Sequence, residues 1–295
     1  MGNVLEVSEL SKFYGNVKAV DNLSFNLKSG SIFGVLGPNG SGKTTTLAML
    51  CGIINPLSGS FKWFGERMTS NSRQRIGTLL ETPNFYDYLT AYKNLQIIAD
   101  IKGANYNELD DLLKLVSLYE RKDSKFKTFS LGMKQRLAIA ASLIGNPEVL
   151  ILDEPTNGLD PQGIAEVRNL IKKIAESGKT ILLASHLLDE VQKVCTDVLV
   201  LKNGKKIYQG DVDKVFASKF IIELKAENMN ALQTEIKNFE FYKEANLENE
   251  TLFVEFEKNI NSADLNKFLF ENGIILTHLN IKKQSLEEQI LHLLN

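Results

Sequence analysis

The chain has 295 residues, a length for one large domain or two ordinary ones. With 43% hydrophobic and 24% charged residues it has the composition of an average globular protein, which excludes a disordered, collagen-like or disulfide-stapled chain. The formal net charge of −2 argues against a chain built to coat nucleic acid or an anionic membrane surface.

In chain order, the opening MGNVLEVSEL carries Glu6 and Glu9 and lacks a basic stretch followed by an apolar core, so no secretion signal is expected. Glu6 also stands where a myristoylation motif has Ser or Thr. VLEV, then LSFNL with Leu23, Phe25 and Leu27 alternating against polar residues, predict a half-buried antiparallel sheet. SIFGVLG, a continuous apolar run ending in glycine, predicts a buried strand feeding a tight turn. FKWF, after a turn from Pro56 to Gly59, reads as another short strand. The middle is helical: AYKNLQIIADIKG, NELDDLLKLVSLYE and GMKQRLAIAASLIGNP carry apolar residues at three- and four-residue spacing, the last stopping at Asn146-Pro147. EVLILD, GIAEVRNLIKKIAESG, KTILLAS, LLDEVQKVC and DVLVLKNG then alternate strand with helix, the pattern of parallel strands joined by crossover helices.

The pattern changes near Val215. FIIELKA, a helix from about Asn228 to Lys237, FEFYKE, TLFVEFE, a helix from about Ser262 to Asn272 and GIILTHLNI give β-α-β-β-α-β, the split βαβ or ferredoxin-like order, and a helix SLEEQILHLL is expected to close the chain. The expected division is therefore 1–217 for an α/β domain and 218–295 for a smaller α+β domain that carries no ligand, metal or catalytic motif. The longest apolar stretch, LAIAASLIG, falls well short of the roughly 20 residues that span a bilayer. Cys51 and Cys195, the only cysteines, have no CxxC or Cys/His spacing; reduced, buried thiols are expected, with neither disulfide nor metal site.

Two segments carry chemistry. Gly37-Pro38-Asn39-Gly40-Ser41-Gly42-Lys43-Thr44 matches GxxxxGK[ST] at every fixed position, after the strand SIFGVL and at the start of the helix TTTLAML. Glycines let backbone N–H groups wrap around a polyanion, and the helix N-terminus adds its dipole. Lys43 can reach the β- and γ-phosphates, the Thr44 hydroxyl can ligate Mg²⁺, and Thr45 follows in the first turn. The second segment is the apolar strand EVLILD, ending in Asp153 and then Glu154 at the carboxyl edge where ligands sit in an open parallel sheet. Asp153 suits the outer shell of Mg²⁺, and Glu154 suits orienting or deprotonating an attacking water.

Over roughly residues 4 to 215 the chain resembles the ATP-binding cassette (ABC) ATPases, a P-loop family, and several motifs carry the resemblance in the family's order. Tyr14, in KFYG, sits where the family stacks an aromatic on adenine; a plain core or surface aromatic is the alternative. Phe129-Ser130-Leu131-Gly132-Met133 falls at the Leu-Ser-Gly-Gly-Gln signature, directly before KQRLAIA. Asn157-Gly158-Leu159-Asp160 matches the loop after the catalytic strand, and Ser185-His186 the switch histidine after the next strand. On its residues alone, Ser130 reads as an N-cap that leaves backbone N–H groups free for an anion. The resemblance implies a head-to-tail pair of cassettes in which Ser130 and Gly132 of one cover the γ-phosphate held by Gly37 to Thr44 of the other, while His186 bonds that phosphate and keeps the water aligned.

Two positions depart from the common pattern. Leu131 and Met133 replace the first glycine and the glutamine of the signature, with Gly132 retained. Glu81, in RIGTLLETPNFYDYLTAYKNL, stands where the family usually has glutamine; a carboxylate only accepts hydrogen bonds and binds Mg²⁺ more strongly than an amide, so Glu81 joins Thr44 and Asp153 as an expected Mg²⁺ contact beside the nucleotide. Glu81 together with SLGMKQR resembles the branch serving lantibiotic immunity and bacitracin resistance, whose ATPases power exporters of antimicrobial peptides; neutral drift in a general exporter ATPase of other cargo is the alternative. Phe85, Tyr86, Tyr88 and Tyr92 fit either packing within a helical subdomain or a groove for a permease's coupling helix. The resemblance thus implies a cytoplasmic ATPase bound to ATP and Mg²⁺, paired with a second ABC subunit and held at the membrane by permease subunits. A non-transport ABC ATPase acting on ribosomes or DNA is disfavoured by the single cassette and the absence of coiled-coil, zinc or basic segments.

Overall fold

The structure is a computed structural model that describes residues 2–80, 84–212, 220–258 and 260–283. The chain divides into two compact units, Met1–Val215 and Phe216–Asn295. Glu81, the stretch around the expected domain boundary and the expected closing helix SLEEQILHLL lie outside the described residues.

The first unit opens with two long strands, β1 (Asn3–Tyr14) and β2 (Val17–Lys28), which form an antiparallel sheet with β4 (Ser58–Trp63) in the order β2-β1-β4. Alternation puts Leu5, Val7, Leu23, Phe25 and Leu27 into one core with Trp63, whose indole N–H donates to Leu50 O at 2.9 Å. Between them run β3 (Ile32–Leu36) and α1 (Lys43–Leu50). Beyond β4 come α2 (Ser70–Gln74), β5 (Ile76–Leu79), α3 (Ala91–Lys102), α4 (Leu109–Leu115), α5 (Leu131–Leu143), β6 (Val149–Asp153), α6 (Pro161–Glu176), β7 (Thr180–Ser185), α7 (Leu188–Val194), β8 (Asp197–Lys202) and β9 (Lys205–Asp211). A second sheet has the order β5-β6-β7-β3-β8-β9, parallel except for β9. Strands β3, β6 and β7 are buried at every position, as parallel strands covered on both faces must be. Their neighbouring order brings the ends at Leu36, Asp153 and Ser185 to one carboxyl edge.

The structure corrects two of the expected elements and adds two strands. NELDDLLKLVSLYE is not one helix: a 3₁₀ turn at Tyr106–Glu108 leads into α4, and Ser117 at φ 56° ends it before a second 3₁₀ turn at Tyr119–Arg121. Strands β5 and β9 were not among the predicted elements. FEFYKE yields a strand only from Tyr242, because Phe239 turns into the core and Phe241 takes φ 62°.

The second unit runs β10 (Phe220–Ala226), α8 (Met229–Glu235), β11 (Tyr242–Glu248), β12 (Thr251–Phe256), α9 (Ser262–Glu271) and β13 (Leu276–Lys283). Its sheet is antiparallel throughout, in the order β11-β12-β10-β13, the arrangement that a split βαβ sequence produces. Ile222, Leu224, Leu252 and Val254 pack against Leu232, Ile236, Leu265 and Leu269, a core of its own.

Candidate functional site

The loop from Gly37 to Lys43 is shaped by three glycines for different reasons. A Cβ at Gly37 would collide with Leu201 O and Ser41 Oγ, and one at Gly42 with Ala19 O. Gly40 has open space around it but φ of 80°, a backbone that L side chains rarely adopt. The turn closes with Ser41 N–H donating to Pro38 O at 3.1 Å. Pro38, Asn39 and Gly40 are exposed, while the Ser41 hydroxyl is buried with no hydrogen-bond partner among the described residues. Gly204, in the β8–β9 turn, donates its N–H to Ser41 O at 3.1 Å, and a Cβ there would stand 2.9 Å from the same Ala19 O. The loop is thereby wedged between β2 and that turn. At the start of α1, Thr44 is exposed and Thr45 half-buried, while Thr46 is buried and donates back to Gly42 O at 2.8 Å.

The buried Lys43 ammonium donates to Gly37 O at 2.8 Å and Pro38 O at 3.2 Å, and lies 3.4 Å from Glu154 Oε1. Glu154 follows buried Asp153 at φ 48°, a left-handed backbone that costs a non-glycine residue roughly 1–3 kcal/mol. Its N–H still donates to Ala184 O at 3.0 Å, so β7 holds it immediately past the end of β6. The other oxygen, Oε2, meets His186 Nδ1 at 2.8 Å and the His186 backbone N–H at 3.3 Å. Lys43, Glu154 and His186, read separately from three motifs, therefore form one bonded constellation. Burial, with the Asp153 charge adding to it, pushes the Cys51 thiol up to about 12, and burial pushes Cys195 up as well, which favours the protonated form of both; Cys195 is buried as expected, Cys51 only partly so.

A second group of site residues gathers around the first turns of α5 and α6. Ser130 caps α5, its hydroxyl accepting from Met133 N–H at 3.3 Å. Asp160 caps α6, accepting from Gly163 N–H at 2.9 Å, with Pro161 at the first helical position. Leu131, 48% exposed, has its Cδ2 only 3.3 Å from where a Cβ on Gly158 would stand, and Leu159 Cδ2 is 4.0 Å from where one on Gly132 would. The two loops thus pack on each other, and the second is tied back to the end of β6 by Asn157 N–H, which donates to Glu154 O at 3.1 Å. Tyr14, half-exposed, ends β1 opposite Val17, with Lys12 Nζ 5.7 Å from its ring.

The aromatic segment divides. Phe85 packs edge-on against Phe126 at 5.0 Å, whereas Tyr86 and Tyr88 are exposed and lie 5.8 Å apart. The residue that presents this pair, Asn94, was not among the predicted site residues: buried on α3, it accepts from Tyr86 N–H at 2.8 Å and donates to Tyr86 O at 3.1 Å and Thr90 O at 3.0 Å. Its only sequence signal is an amide on the inward stripe of an amphipathic helix.

A family model described as ABC transporter matches residues 20–157. Across its full length, and 98% of the relative's, the chain is 38% identical to the bacitracin transport ATP-binding protein BcrA of Bacillus licheniformis. The chain belongs to the ABC transporter ATP-binding proteins. It is thus an ABC ATPase, the ATP-binding subunit of a transporter, as the motifs led one to expect. The lantibiotic transport ATP-binding protein SrtF of Streptococcus pyogenes is 38% identical over 71% of this ABC chain and 92% of its own. Among solved structures, a dimeric ATP-binding cassette in a post-hydrolysis state bound to ADP and Pi has 26% identity and a TM-score of 0.63, covering 70% of this chain and 98% of that one. No helix among the described residues is long and apolar enough to cross a membrane.

Proposed function

We propose that this ABC ATPase drives export of antimicrobial peptides of the bacitracin or lantibiotic class, closing on ATP as a pair of cassettes beneath separate permease subunits. The cargo reading is supported by the named relatives and by SLGMKQR at the signature. The observation that carries the catalytic reading is the Glu154 carboxylate held between Lys43 and His186.

In this reading the amides from Gly37 to Thr45 hold the triphosphate, Tyr14 stacks on the adenine, and Lys43 places its charge on the β- and γ-oxygens. Glu154 takes the proton of the attacking water, and His186, bonded to Glu154 through Nδ1, keeps Nε2 for the γ-phosphate. Ser130 and Gly132 of the second subunit cover that phosphate from the other side, with Asp160 closing the adjoining turn. The Thr44 hydroxyl, the Asp153 carboxylate and Glu81 are hard oxygen donors. Such donors suit Mg²⁺, an ion that keeps several of its waters and takes most other ligands from phosphate. When bound, Mg²⁺ neutralises charge on the phosphate oxygens. The exposed Tyr86–Tyr88 pair suits an apolar anchor of the permease, which would hold the ATPase at the cytoplasmic face of the membrane.

Glu154→Gln tests the catalytic reading. It keeps the shape but cannot take a proton. Hydrolysis should fall by about 10²-fold or more, with ATP still bound and the ATP-closed dimer now long-lived on sizing. Hydrolysis at the parental rate would refute the assignment.

A further inference from the structure

Arg168 on α6 and Glu190 on α7 form an ion pair between two helices that each begin just after a site loop. Arg168 Nη1 donates to Glu190 Oε1 at 3.0 Å, joining the helix capped by Asp160 to the helix that starts two residues after His186. Glu190 is only 6% exposed, and its Oε2 is buried with no hydrogen-bond partner among the described residues. A buried carboxylate left half-satisfied is a burden on folding that an apolar side chain would not impose. What a charge-assisted bond supplies, and apolar contact does not, is direction.

Direction is what the start of α7 otherwise lacks. It is short, and Leu187 gives it no side-chain cap. Its apolar hold is on β3, where Gly34 admits it: a Cβ there would come within 2.8 Å of Val191 Cγ1 and 2.9 Å of Cys195 Sγ. That contact sets the spacing of helix and sheet, and Thr196 N–H, donating to Ile32 O at 2.7 Å just past Cys195, ties the far end of α7 to the same strand. The other ion pair on α7, Lys193 with Asp189, lies within the helix itself and is solvent-exposed. His186 leads into α7 through a single residue, Leu187, whose N–H is fixed by Ser185 Oγ at 3.0 Å. A slip of α7 along α6 therefore moves the imidazole relative to Glu154.

We propose that Arg168 and Glu190 are positioning residues for ATP hydrolysis: the pair sets where His186 stands against Glu154, using α6 as the fixed beam. The proposal rests on the roles given to Glu154 and His186 above. Its test is a double-mutant cycle on the full-length chain, read by single-turnover hydrolysis of Mg·ATP, by KM for ATP and by thermal unfolding. Arg168→Met should lower the rate about tenfold with KM within about twofold, and Arg168→Lys should recover most of the loss. In a His186→Gln background, Arg168→Met should cost less than about twofold, because the histidine it positions is already gone. Should Arg168→Met fail to fold, Glu190→Gln, which keeps the shape and removes only the charge, carries the same cycle. Equal losses with and without His186, or parental rates for both Arg168→Met and Glu190→Gln, overturn the positioning role while leaving the catalytic reading intact. A His186→Gln chain that hydrolyses at the parental rate overturns both together.

Discussion

The Lys43 ammonium has three protons, and three oxygens lie within reach: Gly37 O, Pro38 O and Glu154 Oε1. Two tie it to its own loop, while the third ties it to the acid that would act on water. A phosphate that draws Lys43 also releases Glu154 to His186 alone. Lys43→Met should therefore weaken ATP binding and lower hydrolysis by about 10²-fold, which titration with a fluorescent nucleotide and a phosphate-release assay would check. Away from the site, Arg75 holds Glu148 through two bonds of 2.6 and 2.9 Å and lies 3.5 Å over the Phe64 ring. The hydrogen bonds from Arg75 hold the Glu148 carboxyl below its ordinary value. Its contribution to stability is thus complete above the ordinary carboxylate range and is lost as pH falls through the lowered value. Arg75→Gln should flatten the acid limb of urea stability against pH and leave ATP hydrolysis at neutral pH unchanged; an unaltered acid limb would show the pair to be inert. The residues legible in sequence were those fixed by spacing: Gly37 to Thr44, Asp153 with Glu154, Ser185 with His186. Asn94 and Glu190 escaped because their meaning lies in burial and in a partner outside their own helix, which one chain read in order does not display.

At the scale of elements, α5 is held at both ends. Ser130 caps its start, and Lys102 of α3 reaches its last carbonyls, with Nζ 3.0 Å from Ile144 O, 3.3 Å from Ala141 O and 3.4 Å from Ser142 O. Burial holds the Lys102 ammonium below its ordinary value, a cost that the carbonyl end of the helix offsets. Lys102→Met should lower stability by about 1–2 kcal/mol in urea unfolding, with ATP affinity unchanged; a matching fall in affinity would mean that the helix tip at Ser130 moves with its far end. The strands that sequence missed have physical reasons for being missed. β5 has four residues, one of them Gly77, which reads as a breaker but is required because a Cβ there would collide with Ser142 O of α5. β9, KKIYQGD, lies at the sheet edge and is largely exposed, so it needs no apolar alternation. The buried strands β3, β6 and β7 were legible because each is an apolar run of strand length bounded by Gly, Pro or Ser.

At the scale of the whole molecule, each unit has its own core, so either can be altered without emptying the other. The cassette carries all the motif residues, and the β-α-β-β-α-β unit carries none of them. We expect a chain ended after Phe216 to keep hydrolysing ATP and to shift the ATP-dependent monomer–dimer balance of a Glu154→Gln background in sedimentation. An unshifted balance would remove dimer contact from the roles open to the C-terminal unit. Within the cassette, one backbone carbonyl does unusual duty. Ala19 O sits against the positions that side chains at both Gly42 and Gly204 would need, on the strand next to the one that ends at Tyr14. The turn that opens α1 and the β8–β9 turn therefore share one fixed point on β2. One methyl group on either glycine would push against that carbonyl, so a change at Gly204, far along the chain, would be felt at the start of α1.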